Sequence, residues 1–185
     1  MRKRLAFATF IVVATGLAMG TAASAATDSP VIGLTAGDAH TCALRADGSV
    51  ACWGDNAYGQ LGNPDAESGS TVVEVALPAD AHIVDIAAGV SHTCALAQDH
   101  RVFCWGANGY GELGIGNFTS QLSPQLVTLV ASVAQPSSLT AGGFTTCVAM
   151  SNGHAQCWGR NQYGEVGDGT RTLRNVPTKI GRAHV

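Results

Sequence analysis

Positive charge is scarce in this chain. Of its 185 residues 10 are Lys or Arg, and only 12% carry any charge. Arg2, Lys3 and Arg4 stand together at the N-terminus, while Arg45, Arg101, Arg160, Arg171, Arg174, Lys179 and Arg182 are scattered over the rest. Without the three N-terminal residues the formal net charge falls from −3 to −6. No basic stripe is present, so no nucleic-acid partner held by phosphate contacts is expected. Other absences narrow the class further. No apolar period of 3.6 residues persists over three turns, which excludes an α-helical solenoid. The apolar run at 5–19 is shorter than the roughly 20 residues a membrane-spanning helix needs. Gly-x-Ser-x-Gly, His-Glu-x-x-His and the phosphate loop are all missing. No catalytic residue, cofactor or metal is expected, and the chain is read as not an enzyme.

What is present is one sentence written three times. It begins at Ala36, Ala88 and Ala141, with spacings of 52 and 53 residues. A fixed period of this size marks a repeat architecture. Each copy has an Ala-Gly, a short apolar run, a turn, a second apolar run ending in Trp-Gly, and a Gly-rich polar loop. In the first copy, residues 40–44 and 49–53 read as strands around the turn Ala46-Asp47-Gly48. Asn152-Gly153 makes the same turn in the third copy; His100 replaces the glycine in the second, at some conformational cost. This register sets Cys42 opposite Cys52 and Leu44 opposite Val50. Side chains alternate along a strand, so Ala43, Ala51 and Trp53 share the other face. Both faces are apolar, so each small sheet is expected to lie between neighbours. Further strands are expected at 31–35, 71–75, 83–87 and 125–130. About four short strands per repeat, stacked face to face, describe the blades of a β-propeller.

The motif A-G-x-x-H-T-x-A-L followed by W-G-x-N-x-x-G-Q-L-G resembles the regulator of chromosome condensation repeat. Its positions here are Gly37, His40, Trp53, Gly54, Asn56 and Gly59, then Gly89, His92, Trp105, Gly106, Asn108 and Gly111, then Gly142, Trp158, Gly159, Asn161 and Gly164. The third copy has Thr145 where His40 and His92 stand. The resemblance implies an all-β propeller, typically of seven blades, of which three are present. The histidines are expected to satisfy backbone groups inside the blade, the tryptophans to pack between blades, and the glycines to form tight corners. The eukaryotic member that names the family is a nuclear exchange factor for a small GTPase. Acidity and the features of export below argue against carrying that role over.

The N-terminus reads as a secretory signal peptide, residues 1–25. It has a charged start, an apolar middle and the small residues Ala23-Ser24-Ala25 before cleavage between Ala25 and Ala26. Export permits oxidation, and the six cysteines form three Cys-x9-Cys pairs. Six cysteines allow 15 connectivities. The hairpin register selects Cys42–Cys52, Cys94–Cys104 and Cys147–Cys157, each a structural cross-strand disulfide. Zinc on His40, Cys42 and Cys52 is set aside because no Cys-x2-Cys clip exists and the third copy lacks the histidine. A redox-active dithiol is set aside because nothing nearby would lower a thiol pKa.

The division expected is blade 1 at 31–80, blade 2 at 81–135 and an incomplete blade 3 at 136–179. Residues 180–185 match the translation of a common sequencing adapter and are read as read-through of a longer gene; a naturally short protein that completes its ring by association is the alternative. The expected function is that of a secreted (extracellular or periplasmic) scaffold, away from the membrane after cleavage, that binds a protein or glycan through its loops. Two alternatives stand beside it. One is an enzyme inhibitor resembling the secreted β-lactamase inhibitor propellers, and the other is the non-catalytic part of a longer secreted enzyme. The variable stretches are 63–70, 107–110, 117–123 and 160–163. Tyr58, Tyr110 and Tyr163 recur in the Gly-rich loops, where packing is the expected role.

Overall fold

The computed structural model describes residues 29–181. The expected signal peptide, its expected cleavage point at Ala25 and Ala26, and residues 182–185 lie outside that range. Twelve strands form three antiparallel sheets of four, each in chain order. The first sheet holds β1 (Val31–Ala36), β2 (His40–Arg45), β3 (Val50–Gly54) and β4 (Gly69–Glu74). The second holds β5 (Ile83–Ala88), β6 (His92–Ala97), β7 (Val102–Gly106) and β8 (Gln121–Leu126). The third holds β9 (Pro136–Gly142), β10 (Thr145–Met150), β11 (Ala155–Gly159) and β12 (Arg174–Ile180).

The central hairpins have the register read from the turns. Cys42 faces Cys52 and Leu44 faces Val50, with equivalent pairs in the other two sheets. Gly48 and Gly153 both have φ of 80°, and His100 takes φ of 71° in the same place. Three disulfides join Cys42–Cys52, Cys94–Cys104 and Cys147–Cys157, each with Cα atoms 4.1 Å apart. That separation belongs to a non-hydrogen-bonded antiparallel pair.

Two expectations about strands change. The strand expected at 125–130 is instead β8 at Gln121–Leu126, and it contains Pro124. Pro is tolerated there because β8 is the outermost strand of its sheet. The β-rich run after it leaves the sheet because its apolar side chains fill a seam. Val127 is buried between the second and third sheets, with Leu129 packed against the same cluster. The third module, read as stopping short, has four strands like the others, and its last one pairs Ile180 with Ala155.

The sheets stack with their inner strands β1, β5 and β9 adjacent. The disulfide face of one sheet packs on the tryptophan face of the next. One core joins Cys42, Leu44, Val50, Cys52 and Leu61 to Ile86, Ala95, Phe103 and Trp105. The other joins Cys94, Leu96, Val102, Cys104 and Leu113 to Leu139, Val148, Met150 and Trp158. The second sheet is therefore covered on both faces. On the third sheet the disulfide face points away from the stack. Cys147 is half-buried there and Ala149 exposed, whereas Cys42, Cys52, Cys94 and Cys104 are fully buried.

Exposure sets an order of reduction. Under native conditions a soluble phosphine is expected to open Cys147–Cys157 first, and alkylation followed by peptide mass mapping reads the order. Each bridge closes a short loop, so its loss should cost about 2–3 kcal/mol in urea unfolding. Opening of Cys94–Cys104 before Cys147–Cys157 would contradict the packing described here.

Candidate functional site

Two polar relays run across the stack. His40 Nε2 lies 2.8 Å from Thr93 Oγ1 of the next module, and His92 Nε2 lies 2.9 Å from Thr146 Oγ1. Thr93 donates its hydroxyl proton to the Gln60 carbonyl at 3.1 Å, and Thr146 donates to the Glu112 carbonyl at 2.9 Å. A hydroxyl has one proton, so each histidine must be the donor through Nε2–H. The same two carbonyls accept from the indoles of Trp105 at 2.9 Å and Trp158 at 2.7 Å. The histidines thus bond a side chain of the next module, not backbone groups of their own blade as expected from sequence. The reason lies in the stacking, which places that threonine against the ring. Gly37 and Gly89 make room for this, since a Cβ at either would overlap the histidine ring. Gly62 and Gly114 do the same for Trp105 and Trp158.

The residues that supply those carbonyls also shape the long loops after β3, β7 and β11. The Gln60 side chain accepts the Tyr58 backbone N–H at 2.9 Å and that of Glu112 accepts from Tyr110 at 2.7 Å, and Glu165, which supplies no seam carbonyl among the described residues, accepts from Tyr163 at 2.7 Å. Asn56, Asn108 and Asn161 staple each loop. Each side-chain oxygen takes an N–H five residues on, from Leu61, Leu113 and Val166, and each amide nitrogen reaches a carbonyl across the loop. In the third loop Asp168 joins the staple and accepts from Arg174 Nε at 2.6 Å. Burial alone would raise its carboxyl, yet hydrogen bonds from Thr170, Arg174 and Asn161 hold it well below the usual range. Gly54, Gly106 and Gly159 sit at the β-strand ends where these loops begin, and Gly59, Gly111 and Gly164 are in the left-handed region within them. Gly142 ends β9 in open space.

The three tyrosines project outward. Tyr58 is 52% and Tyr163 77% exposed, so packing is not what their recurrence serves. Phe118 is exposed beside them, and Phe144 lies 5.0 Å from Tyr110, ring centre to ring centre. Of the six Tyr and Phe rings in the described residues, only Phe103 belongs to the core instead. The Arg160 guanidinium sits over this group, 5.3 Å from Tyr163, 5.7 Å from Phe144 and 5.9 Å from Tyr110. The loops after β1, β5 and β9 and those after β3, β7 and β11 all lie at one end of an antiparallel sheet, so this end carries an aromatic rim. A cavity of about 360 Å³ opens in it, lined by Tyr58, Tyr110, Phe118 and Phe144 with Glu112 and nearby small residues. Of these, the sequence singled out the tyrosines by name, and Phe118 and Arg160 only as members of the variable stretches 117–123 and 160–163. Phe118, Phe144 and Arg160 follow no repeat, and the fold alone brings them together. Trp105 and Trp158 are fully buried between sheets, while Trp53 on the first sheet is half-buried. Among the described residues no cluster of His, Cys, Asp or Glu has metal-ligand geometry. No helix there is long and apolar enough to cross a membrane.

Stacked sheets of this kind, tied edge to edge by inner strands and presenting long loops at one end, define the blades of a β-propeller. The Regulator of chromosome condensation (RCC1) repeat model matches residues 47–96 and 99–149, and a second model of the same repeat matches 31–60, 83–112 and 137–165. The chain belongs to this repeat family. It is 33% identical over 152 residues to the ultraviolet-B receptor UVR8 of Arabidopsis thaliana, covering 81% of this chain and 34% of that protein. It is 32% identical over 151 residues to the human probable E3 ubiquitin-protein ligase HERC6, covering 80% of this chain and 14% of that one. The crystal structure of Prp20p from Saccharomyces cerevisiae, a protein studied for its binding to Gsp1p and histones, superimposes with a TM-score of 0.71 at 27% identity. That overlap covers 83% of this chain and 39% of Prp20p. The chain spans about a third of the length of the first of these relatives and less of the second.

The relay makes stability depend on acidity. Burial lowers the pKa of both histidines; His92 falls to about 3, with the neighbouring His40 adding to the effect. In the unfolded chain the same ring takes up a proton below about pH 6.5. Stability is therefore intact above that value and is lost as pH falls from there toward 3. Between pH 7.5 and 5 the loss from His92 alone should be about 2 kcal/mol. Urea unfolding of wild type and His92→Gln at both values measures it: the variant should lose less by that amount, and equal losses would contradict a neutral buried ring.

Proposed function

We propose that this chain is part of a secreted, non-catalytic propeller that binds a protein partner through the aromatic rim. The observation that carries this reading is the concentration of five of six described Tyr and Phe rings, with Arg160 across three of them, at one loop end. Tyr and Arg are the residue types that dominate binding energy at protein interfaces, and here their backbones are fixed before any partner arrives. The stapled loops support the same reading, because a loop already held by hydrogen bonds loses less freedom on binding. Three disulfides suit an oxidising compartment, and the expected signal peptide gives a route to one. That Prp20p binds proteins is in keeping with a protein partner here. The acidic mature chain favours a basic one.

Affinity capture from the secreted fraction of the source cells, followed by titration of the captured protein, tests the reading. The triple variant Tyr58→Ala, Tyr110→Ala, Tyr163→Ala should bind at least about tenfold more weakly. Gln98→Ala with His154→Ala, at the opposite end, should bind like wild type. Equal binding by the triple variant would overturn the rim as the interface. The exported product should begin near Ala26 with all six cysteines oxidised; a product that keeps Met1 and carries free thiols would overturn secretion.

A further inference from the structure

The cavity in the rim has one unusual lining residue, Glu112. Position 60 and its repeats hold Gln60, Glu112 and Glu165. Gln60 is neutral and donates to Asp55 at 2.7 Å. Glu165 is partly exposed and lies 3.5 Å from the Arg160 guanidinium. Glu112 alone is a fully buried carboxyl, 1% exposed. Backbone N–H groups of Tyr110, Gly111 and Glu112 bond it, but among the described residues no Lys, Arg or His pairs with it. Burial pushes its carboxyl above the ordinary value in spite of those bonds.

Four aromatic residues, Tyr58, Tyr110, Phe118 and Phe144, drawn from the loops of three successive modules, line the same cavity as Glu112. Aromatic faces attract a cation that has shed water, and a box of such faces is the usual way a protein holds an alkylammonium group. A carboxylate in the lining adds charge to the attraction and rejects neutral side chains of the same shape. Arg160, the cation already in the rim, does not line this cavity and is paired with Glu165.

We infer that the cavity formed by Tyr58, Tyr110, Phe118 and Phe144 over Glu112 is a binding site for an alkylammonium group, filled in the complex by a lysine side chain of the protein partner. This rests on the protein-binding reading above and gives it an anchor. The volume of about 360 Å³ accepts a four-carbon stem and its ammonium head with room for water.

The site can be tested without the partner. Butylammonium and butyltrimethylammonium are titrated into the oxidised chain, with butanol as the neutral probe of similar shape, and binding is followed by NMR at the Tyr110 and Phe118 rings. Both cations should bind in the millimolar range and at least fivefold more tightly than butanol. Glu112→Gln should weaken both at least fivefold. This variant restores the residue that the first module carries as Gln60, so the loop is expected to keep its shape, and unchanged amide shifts for Tyr110 and Leu113 check that it does. Phe118→Ala should weaken butyltrimethylammonium more than butylammonium, because the methylated head relies more on the ring faces. Butanol binding as tightly as the cations, or cation binding unchanged by Glu112→Gln, would overturn the inference. Either result leaves the rim's role in partner binding to be judged by the tyrosine variants alone. Conversely, cation binding that depends on Glu112 while the triple tyrosine variant still captures its partner would uphold the cation site but overturn its filling by a lysine of the partner.

Discussion

A four-stranded sheet with two apolar faces is unstable by itself, and everything distinctive about this chain follows from covering those faces. The disulfide face of each module needs the tryptophan face of the next. Burial of leucine, valine and tryptophan in that seam supplies the main stabilisation. The polar groups trapped there are disposed of in a single arrangement. The indole and the threonine hydroxyl both donate to one loop carbonyl and the imidazole donates to that threonine, which leaves the histidine Nδ1 atoms without a partner among the described residues. Two inner-strand bonds add to the seam: Ala88 N–H to Thr35 Oγ1 at 2.9 Å, and Leu139 N–H to Asp85 at 2.8 Å.

This geometry links stacking to the binding surface. Gln60 and Glu112 each use a carbonyl to receive the next module and a side chain to hold a tyrosine amide. The loop that presents a tyrosine is therefore clamped by the neighbour behind it. Each loop is held by its own Asn staple, and the first two are held again by the blade docked on their carbonyls. That makes the rim a property of the stack, and it explains why rings from three modules line one cavity.

Much of the fold could be read from the chain. Cys-x9-Cys is symmetric about a turn, so a single register places both the sulfurs and the Leu44–Val50 pair. Apolar residues on both faces then required stacking. The run at 125–130 misled because its β propensity is genuine, yet Val127 gains more by filling a seam than by extending β8. The histidines were harder. A buried imidazole has many ways to be satisfied, and the threonine that satisfies it lies 53 residues away in one case and 54 in the other. The rim was only half legible. Tyrosines at a repeated position suggest packing, and nothing local reveals that a Gln or Glu two residues on turns them outward. Phe118, Phe144 and Arg160 have no periodic signature at all. Glu112 differs from Gln60 by one group, and its meaning depends on a cavity that exists only after the modules dock.

Indole hydrogen exchange followed by NMR tests the docked stack most directly. Trp105 and Trp158 donate to loop carbonyls inside the seams, whereas Trp53 is half-buried and has no such carbonyl among the described residues. In the oxidised chain at neutral pH the Trp105 and Trp158 indole protons should exchange only as the stack opens, orders of magnitude more slowly than that of Trp53. Fast exchange at all three indoles would mean that the modules are strung along the chain rather than packed face to face.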